Sequence, residues 1–167
     1  MKLIDDLIMC KGFAICRGMM TAGETYTFTS ANSSADGIFS QLGYCVSGDA
    51  ILYDSDGNAR LTFETGNLYD VREYYGKDFT ITANENGGTW ICINPTPANK
   101  FYNGELLKEN TTKTVKGGSK EQVVMCLSGV VSINDKVLNQ FQYARVLNGK
   151  TAKIKIEPGA LGIYFYT

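Results

Sequence analysis

Two short stretches of this chain repeat the same chemistry-bearing side chains at the same spacing. Gln41-Leu42-Gly43-Tyr44-Cys45-Val46-Ser47-Gly48 returns as Gln122-Val123-Val124-Met125-Cys126-Leu127-Ser128-Gly129, so Q-x-x-x-C-[VL]-S-G occurs twice. In an extended backbone alternate residues share a face, which places Gln41 with Cys45 and Gln122 with Cys126. An amide beside a thiol can hydrogen-bond a ligand; the plainer reading is a core-filling cysteine and an amide satisfied by nearby backbone. Tyr69 and Tyr143, together with Tyr26, Tyr44, Trp90 and Arg72, are suited to line a mouth that stacks on a sugar or planar ligand. Aromatic residues of strands otherwise belong to the core. Glu64, Asp70 and Glu73 are the acids nearest Tyr69 in sequence, and acid–base work by such carboxylates needs them to converge.

Other chemistry is excluded by composition. The 167 residues contain no histidine. That removes His-based triads, His general acid–base catalysis and every His-containing metal site. With 16 basic and 17 acidic residues the net charge is -1, without the basic excess of a dedicated nucleic-acid binder. Cys10, Cys16, Cys45, Cys92 and Cys126 are odd in number and form no C-x-x-C pair. Reduced, buried thiols in a cytosol-like compartment are therefore expected in place of a disulfide framework or zinc knuckle. Asp54-Ser55-Asp56-Gly57-Asn58 lacks the spacing of a calcium loop, and its twelfth position is Thr65, so it reads as a hairpin turn. Lys116-Gly117-Gly118-Ser119-Lys120 has the wrong order for a phosphate-binding loop and reads as a solvated basic loop.

The elements that must position these residues are strands. Glu24–Thr29 alternates polar with aromatic, and Lys153–Ile156 alternates Lys with Ile. Ala50–Tyr53, Ala59–Phe63, Phe79–Thr82, Thr89–Ile93 and Gly162–Tyr166 are short β-branched or aromatic runs. Turn chemistry separates them at Asp56-Gly57-Asn58, Glu85-Asn86-Gly87-Gly88, Lys116-Gly117-Gly118-Ser119, Asn134-Asp135, Asn148-Gly149 and Glu157-Pro158-Gly159. Only Leu3–Met9 has the pattern of a helical turn or two. Asp5 and Asp6 stand where a secretory signal would be apolar, and no stretch approaches the roughly 18 apolar residues of a membrane span; a cytoplasmic protein without membrane contact is expected. At 44% apolar and 20% charged, the chain has material for a core.

The repeat extends beyond the motif. Each copy is followed by a hairpin and then by a similar run, Gly66–Val71 against Gln140–Val146, and each half closes on a hydrophobic strand. Asn94-Pro95-Thr96-Pro97-Ala98-Asn99 reads as the connector. Two all-β units follow, residues 1–94 and 104–167, with 95–103 as linker.

A unit with a strand ending in apolar-x-Gly, a tight hairpin, a glycine turn and a final hydrophobic strand resembles the cupin superfamily, and two in tandem resemble a small bicupin. The resemblance implies two double-stranded β-helix (jelly-roll) barrels over residues 23–166. It matches the glycine ending the family's first motif to Gly48 and Gly129, and the motif's Glu to Gln41 and Gln122. The family's H-x-H falls on the stretch Ser34-Ala35-Asp36-Gly37, and on Val115-Lys116-Gly117-Gly118 in the second half. Gly66 matches the glycine of the second motif and Tyr69 its histidine, with Tyr143 as counterpart. With Gln for Glu and Tyr for His, the usual three-His, one-Glu metal site cannot form, and the His base of metal-independent cupin epimerases is missing too.

The expected protein is therefore a non-enzymatic cupin-like module without metal or other cofactor. It serves as a pocket for a small ligand, carbohydrates included, built on Gln41, Cys45, Tyr69, Glu73, Trp90, Gln122, Cys126 and Tyr143, or as a structural module, with a homodimer expected through edge strands. The alternative is a metal-independent enzyme acting on a carbohydrate or small organic acid, with Tyr69 or Tyr143 and a nearby Glu or Cys in the catalytic roles. A subunit of a larger assembly is the third reading.

Overall fold

The computed structural model describes the backbone of residues 2–10, and residues 12–119 and 121–167 in full. Lys120 of the basic loop and the side chain of Cys10 lie outside the described residues. The chain is all-β and divides into two compact units, Met1–Phe101 and Tyr102–Thr167. Among the described residues no helix is long and apolar enough to cross a membrane.

The first unit contains β1 (Lys2–Cys10), β2 (Phe13–Met20), β3 (Thr25–Phe28), β4 (Leu42–Asp54), β5 (Ala59–Glu64), β6 (Leu68–Asp70) and β7 (Phe79–Pro95). They form one antiparallel sheet in the order β1-β2-β7-β4-β5, with β3 also on β7 and β6 also on β4. Two long strands hold it together. The first part of β4 pairs with β6 and its later part with β5; β7 pairs with β3 early and β2 late. Strands that change partners must bend, and here the bend lies where glycines meet. Gly48, at φ +77°, opposes Gly88, and Gly87 sits at φ +64°. Register shifts flank this point, between Cys45 and Ser47 and between Gly48 and Ala50.

The stretch Glu85–Gly88 is thus no chain-reversing turn, as its composition predicts, but a corner within the single strand β7. Paired glycines permit the close backbone approach of a bent strand as well as the φ of a turn. Leu3–Met9 is likewise no helical turn: β1 runs antiparallel to β2 from Lys2 opposite Met19 to Cys10 opposite Phe13. A short helix in isolation is marginal, whereas a neighbouring strand supplies partners for its backbone groups.

The core of this unit is aromatic. Phe28 stacks on Phe79 with ring centroids 4.5 Å apart, and Phe63 meets Tyr69 edge-on at 4.8 Å. Leu52, Phe39 and Trp90 are buried in the same cluster.

The second unit contains β8 (Asn103–Lys108), β9 (Thr112–Lys116), β10 (Gln122–Ser128), β11 (Val131–Ile133), β12 (Lys136–Leu138), β13 (Tyr143–Arg145), β14 (Thr151–Ile156) and β15 (Leu161–Tyr166). It has two four-stranded sheets, ordered β13-β10-β15-β8 and β12-β11-β14-β9. In β14 the alternation read from sequence holds: Ala152, Ile154 and Ile156 are buried while Thr151, Lys153 and Lys155 are exposed. The β11–β12 hairpin turns at Asn134, φ +51°, whose Oδ1 accepts a hydrogen bond from the Lys153 amide at 2.8 Å. Asn tolerates this left-handed conformation better than most residues.

Candidate functional site

One row of side chains crosses the sheet of the first unit. Cys16 on β2 opposes Cys92 on β7, Cys92 opposes Gly43 on β4, and Gly43 opposes Tyr69 on β6. Cross-strand partners project from the same face of a sheet. A Cβ on residue 43 would lie 2.3 Å from the Tyr69 hydroxyl oxygen and 2.4 Å from Cζ. Glycine therefore leaves the space through which the Tyr69 ring folds along the row. Its hydroxyl donates to Cys92 Sγ at 3.2 Å and shares a 3.0 Å hydrogen bond with Ser40 Oγ. All three residues are buried.

Ser40, Tyr69 and Cys92 are the polar side chains on the wall of a small cavity otherwise lined by residues such as Met20, Phe28, Phe63 and Trp90. The space open to the centre of a water-sized molecule is about 30 Å³. That is room for small guests such as water. Of the residues singled out by sequence, Tyr69 and Trp90 belong to this wall; Ser40 and Cys92 are additions.

Burial above all pushes the Tyr69 hydroxyl well above the ordinary phenol range, with the neighbouring Cys92 adding to it. Burial also raises the Cys92 thiol. Tyr69 is consequently a neutral hydrogen-bond donor rather than a phenolate ligand or base.

The cysteines of the repeated motif do a different job. Cys45 Sγ lies 3.2 Å from Gly48 O and 3.7 Å from Ser47 O; Cys126 Sγ lies 3.4 Å from Gly129 O and 3.5 Å from Ser128 O. Each thiol donates into the strand corner that follows it. The backbones agree as well. Cys45 N donates to Asn67 O at 3.0 Å and Cys45 O accepts from Gly66 N at 2.8 Å; Cys126 N donates to Gln142 O at 3.0 Å and Cys126 O accepts from Phe141 N at 2.7 Å. Gly66 sits at φ +88° and Phe141, in the matching position, at φ +63°.

Gln41 and Gln122 face neither thiol nor cavity. Gln41 Nε2 donates to Lys100 O at 3.3 Å, tying down the stretch after β7, while its buried Oε1 has no hydrogen-bond partner among the described residues. Gln122 Nε2 donates to Lys116 O at 3.2 Å, and its Oε1 accepts from the Tyr164 hydroxyl at 3.0 Å. Tyr143 is 40% exposed. It opposes Met125, and Ala144 opposes Val124, the motif position equivalent to Gly43. Ala144, not Tyr143, is thus the counterpart of Tyr69, because a one-residue change of register turns every side chain to the other face. Glu73 lies in the short 3-10 turn Arg72–Tyr74 and lines an open polar surface groove with Asp54, Arg60, Lys77 and Asp78. The pairing of Tyr69 with Glu73 is not assembled.

The donors fit the cupin metal poorly. Gln41 offers a neutral amide turned toward Lys100, and Tyr69 offers a protonated phenol engaged with Ser40 and Cys92. Among the described residues no three His, Cys, Asp or Glu side chains are grouped to hold an ion.

The buried thiols carry a pH dependence. Burial, reinforced by the charge of Asp49 and opposed by Thr65 and Trp90, pushes Cys45 up to about 11; burial also raises Cys126. The folded state thus holds these protons to higher pH than the unfolded chain, whose thiols ionise near 8.5. Their stabilisation is complete below that value and declines above it, by at most about 1.4 kcal/mol per pH unit for each thiol. Chemical unfolding under reducing conditions is expected to show stability falling steeply between pH 8.5 and pH 11, and Cys45→Ala is expected to flatten the slope. A profile that stays flat in the wild type contradicts the assignment.

No family model and no curated protein matches the chain. Solved structures do. A Cupin 2 conserved barrel domain protein from Leptotrichia buccalis superposes with a TM-score of 0.53 at 12% identity, over 99% of this chain and 97% of its own. A conserved protein of unknown function from Pseudomonas aeruginosa PAO1 gives a TM-score of 0.65 at 13% identity, covering 96% of this chain and 82% of that one. The bacterial pirin YhhW from Escherichia coli, in complex with nickel(II), gives 0.60 at 11% identity, with 93% and 82% covered. Identities this low speak for backbone architecture, and architecture hosts many functions. The chain has the cupin fold.

Proposed function

We propose that this protein is a non-enzymatic cupin-fold module, a duplicated bicupin-like scaffold for binding or assembly, which works through its outer surface and not through a ligand inside the barrel. The observation that carries this reading is the cavity of the first unit: its wall is apolar apart from the Ser40 and Tyr69 hydroxyls, the Cys92 thiol and the Trp90 indole N–H, and the space open to the centre of a water-sized molecule is only about 30 Å³. Pockets for sugars and other drug-sized ligands run to roughly 300–1,000 Å³ and add converging polar groups. The cavity is far short of that, and Glu73, the one acid among the expected pocket residues, lines a surface groove instead. Duplication is supported by the matched hydrogen bonds around Cys45 and Cys126. A homodimer and a reducing, cytosol-like compartment complete the reading, the latter supported by the buried thiols Cys16, Cys45, Cys92 and Cys126.

Native mass spectrometry of gently purified, reduced protein tests it. The expected spectrum is a dimer at twice the sequence mass without an organic adduct. A stoichiometric adduct of a few hundred daltons, or a bare monomer at micromolar concentration, overturns the scaffold reading.

The hydrogen-bonded chain Ser40–Tyr69–Cys92 favours a second reading, a metal-independent enzyme for a very small substrate. Turnover of such a substrate that is lost in a folded Tyr69→Phe variant would establish it at the expense of the first.

A further inference from the structure

We propose that Cys16 and Cys92 form a peroxide-reactive dithiol, in which Cys92 is oxidised through the cavity and Cys16 closes a reversible cross-strand disulfide. This rests on the fold of the first unit and is independent of the scaffold reading. The two cysteines are direct register partners on neighbouring antiparallel strands. Such partners have Cα atoms about 4.5–5.5 Å apart, inside the span of about 4.4–6.8 Å that a disulfide bridges. Both side chains project from the same face, and both are buried, Cys16 at 2% and Cys92 at 3% exposure. Cys45 is less suited: its partner across β7 is Trp90, and its thiol lies 3.2 Å from Gly48 O.

The cavity gives a small oxidant a place beside the thiol. Cys92 is on its wall, and a space of about 30 Å³ open to the centre of a water-sized molecule has room for hydrogen peroxide. The Ser40 and Tyr69 hydroxyls, 3.0 Å apart, are placed to hydrogen-bond such a guest.

Oxidation proceeds in two steps. The Cys92 thiolate attacks one peroxide oxygen; the S–O bond forms, the O–O bond breaks, and the departing hydroxide takes up the proton lost by the thiol, leaving water and a Cys92 sulfenic acid. Deprotonated Cys16 then attacks the Cys92 sulfur; the S–S bond forms, the S–O bond breaks, and the leaving hydroxide and the Cys16 proton combine as a second water. Two thiols and one hydrogen peroxide become one disulfide and two waters, with the two electrons coming from the sulfurs. Drawing Cys92 Sγ toward Cys16 also removes the acceptor of the Tyr69 hydroxyl.

The thiolate is the reactive form, and burial disfavours it at Cys92. The reaction is accordingly slow at neutral pH and accelerates by about tenfold per pH unit while the thiol remains mostly protonated.

The test is exposure of the folded, full-length protein to millimolar hydrogen peroxide, followed by alkylation under denaturing conditions and peptide mapping. The expected result is loss of two alkylatable thiols, a mass lower by two hydrogens, one linked peptide pair joining Cys16 to Cys92, and full reversal by dithiothreitol. In Cys16→Ser, a sulfenic acid at Cys92 is expected to be trapped by a dimedone-type reagent added as the peroxide-treated protein is denatured. Full alkylation of both cysteines after peroxide treatment overturns the proposal, as does linkage of either one to Cys10, Cys45 or Cys126. The mapping is made on the wild type, so the result stands even where a variant fails to fold.

Discussion

Gly48→Ala is expected to lower the stability of the first unit by roughly 3–5 kcal/mol, a large fraction of the roughly 5–15 kcal/mol of an ordinary protein. Two costs combine. Residue 48 sits at φ +77°, where a side chain costs about 1–2 kcal/mol. Its Cβ would also stand 1.9 Å from Gly87 O and 2.6 Å from Gly88 Cα. Those are backbone atoms of the opposing corner, which can retreat only by separating β4 from β7. Gly57 is the control: it has φ +82° and nothing within 4 Å of a built Cβ, so Gly57→Ala is expected to cost about 1–2 kcal/mol from conformation alone. Urea unfolding of the two variants measures the difference, and equal losses would show that the corner does not depend on the close crossing of the strands.

Gly43→Ala has the second-largest expected effect, a loss of about 2–4 kcal/mol, without any contribution from positive φ. The added Cβ would stand 2.2 Å from Ile91 O and 2.3 Å from the Tyr69 hydroxyl oxygen. The two contacts can be separated. Tyr69→Ala in the Gly43→Ala background removes the ring contact and leaves the one to the Ile91 carbonyl, so partial recovery relative to Tyr69→Ala alone is expected in a double-mutant cycle. If the two changes are simply additive, the ring does not rest in the space that the glycine leaves.

Strand identity was legible in the sequence wherever one face is buried and the other wet. The alternation of Lys153-Ile154-Lys155-Ile156 reappears in β14. The Gly-Gly pair at residues 87 and 88 was not decipherable in the same way, because glycine marks both turns and corners and only the opposing strand decides between them. The barrel resemblance rested on turns and apolar runs, which express the backbone directly, and it holds at the level of fold.

The site was harder to read. Tyr69 and Trp90 were found as aromatic residues in strands. Cys92 carried a usable signal, since residues 90 and 92 of one strand share a face. Ser40 carried none: it precedes β4, and its approach to Tyr69 depends on the path of the chain before that strand. Tyr143 was drawn in by its identity with Tyr69, although the register of β13 on β10 gives the equivalent place to Ala144. The two glutamines share a motif position and an anchoring habit, yet their partners, Lys100 and Lys116, lie in segments that no local pattern links to them.

Trp90, the single tryptophan of the chain, is buried in the first unit at 4% exposure. The second unit holds only tyrosines and phenylalanines as aromatic residues, Tyr102, Phe141, Tyr143, Tyr164, Phe165 and Tyr166. The two units therefore carry different optical labels without any engineering. Tryptophan emission follows the first unit alone, while the far-ultraviolet circular dichroism of the strands follows both. In a single heated sample, coincident curves mean that the units melt together, and an emission change set apart from the dichroism transition means that each melts on its own.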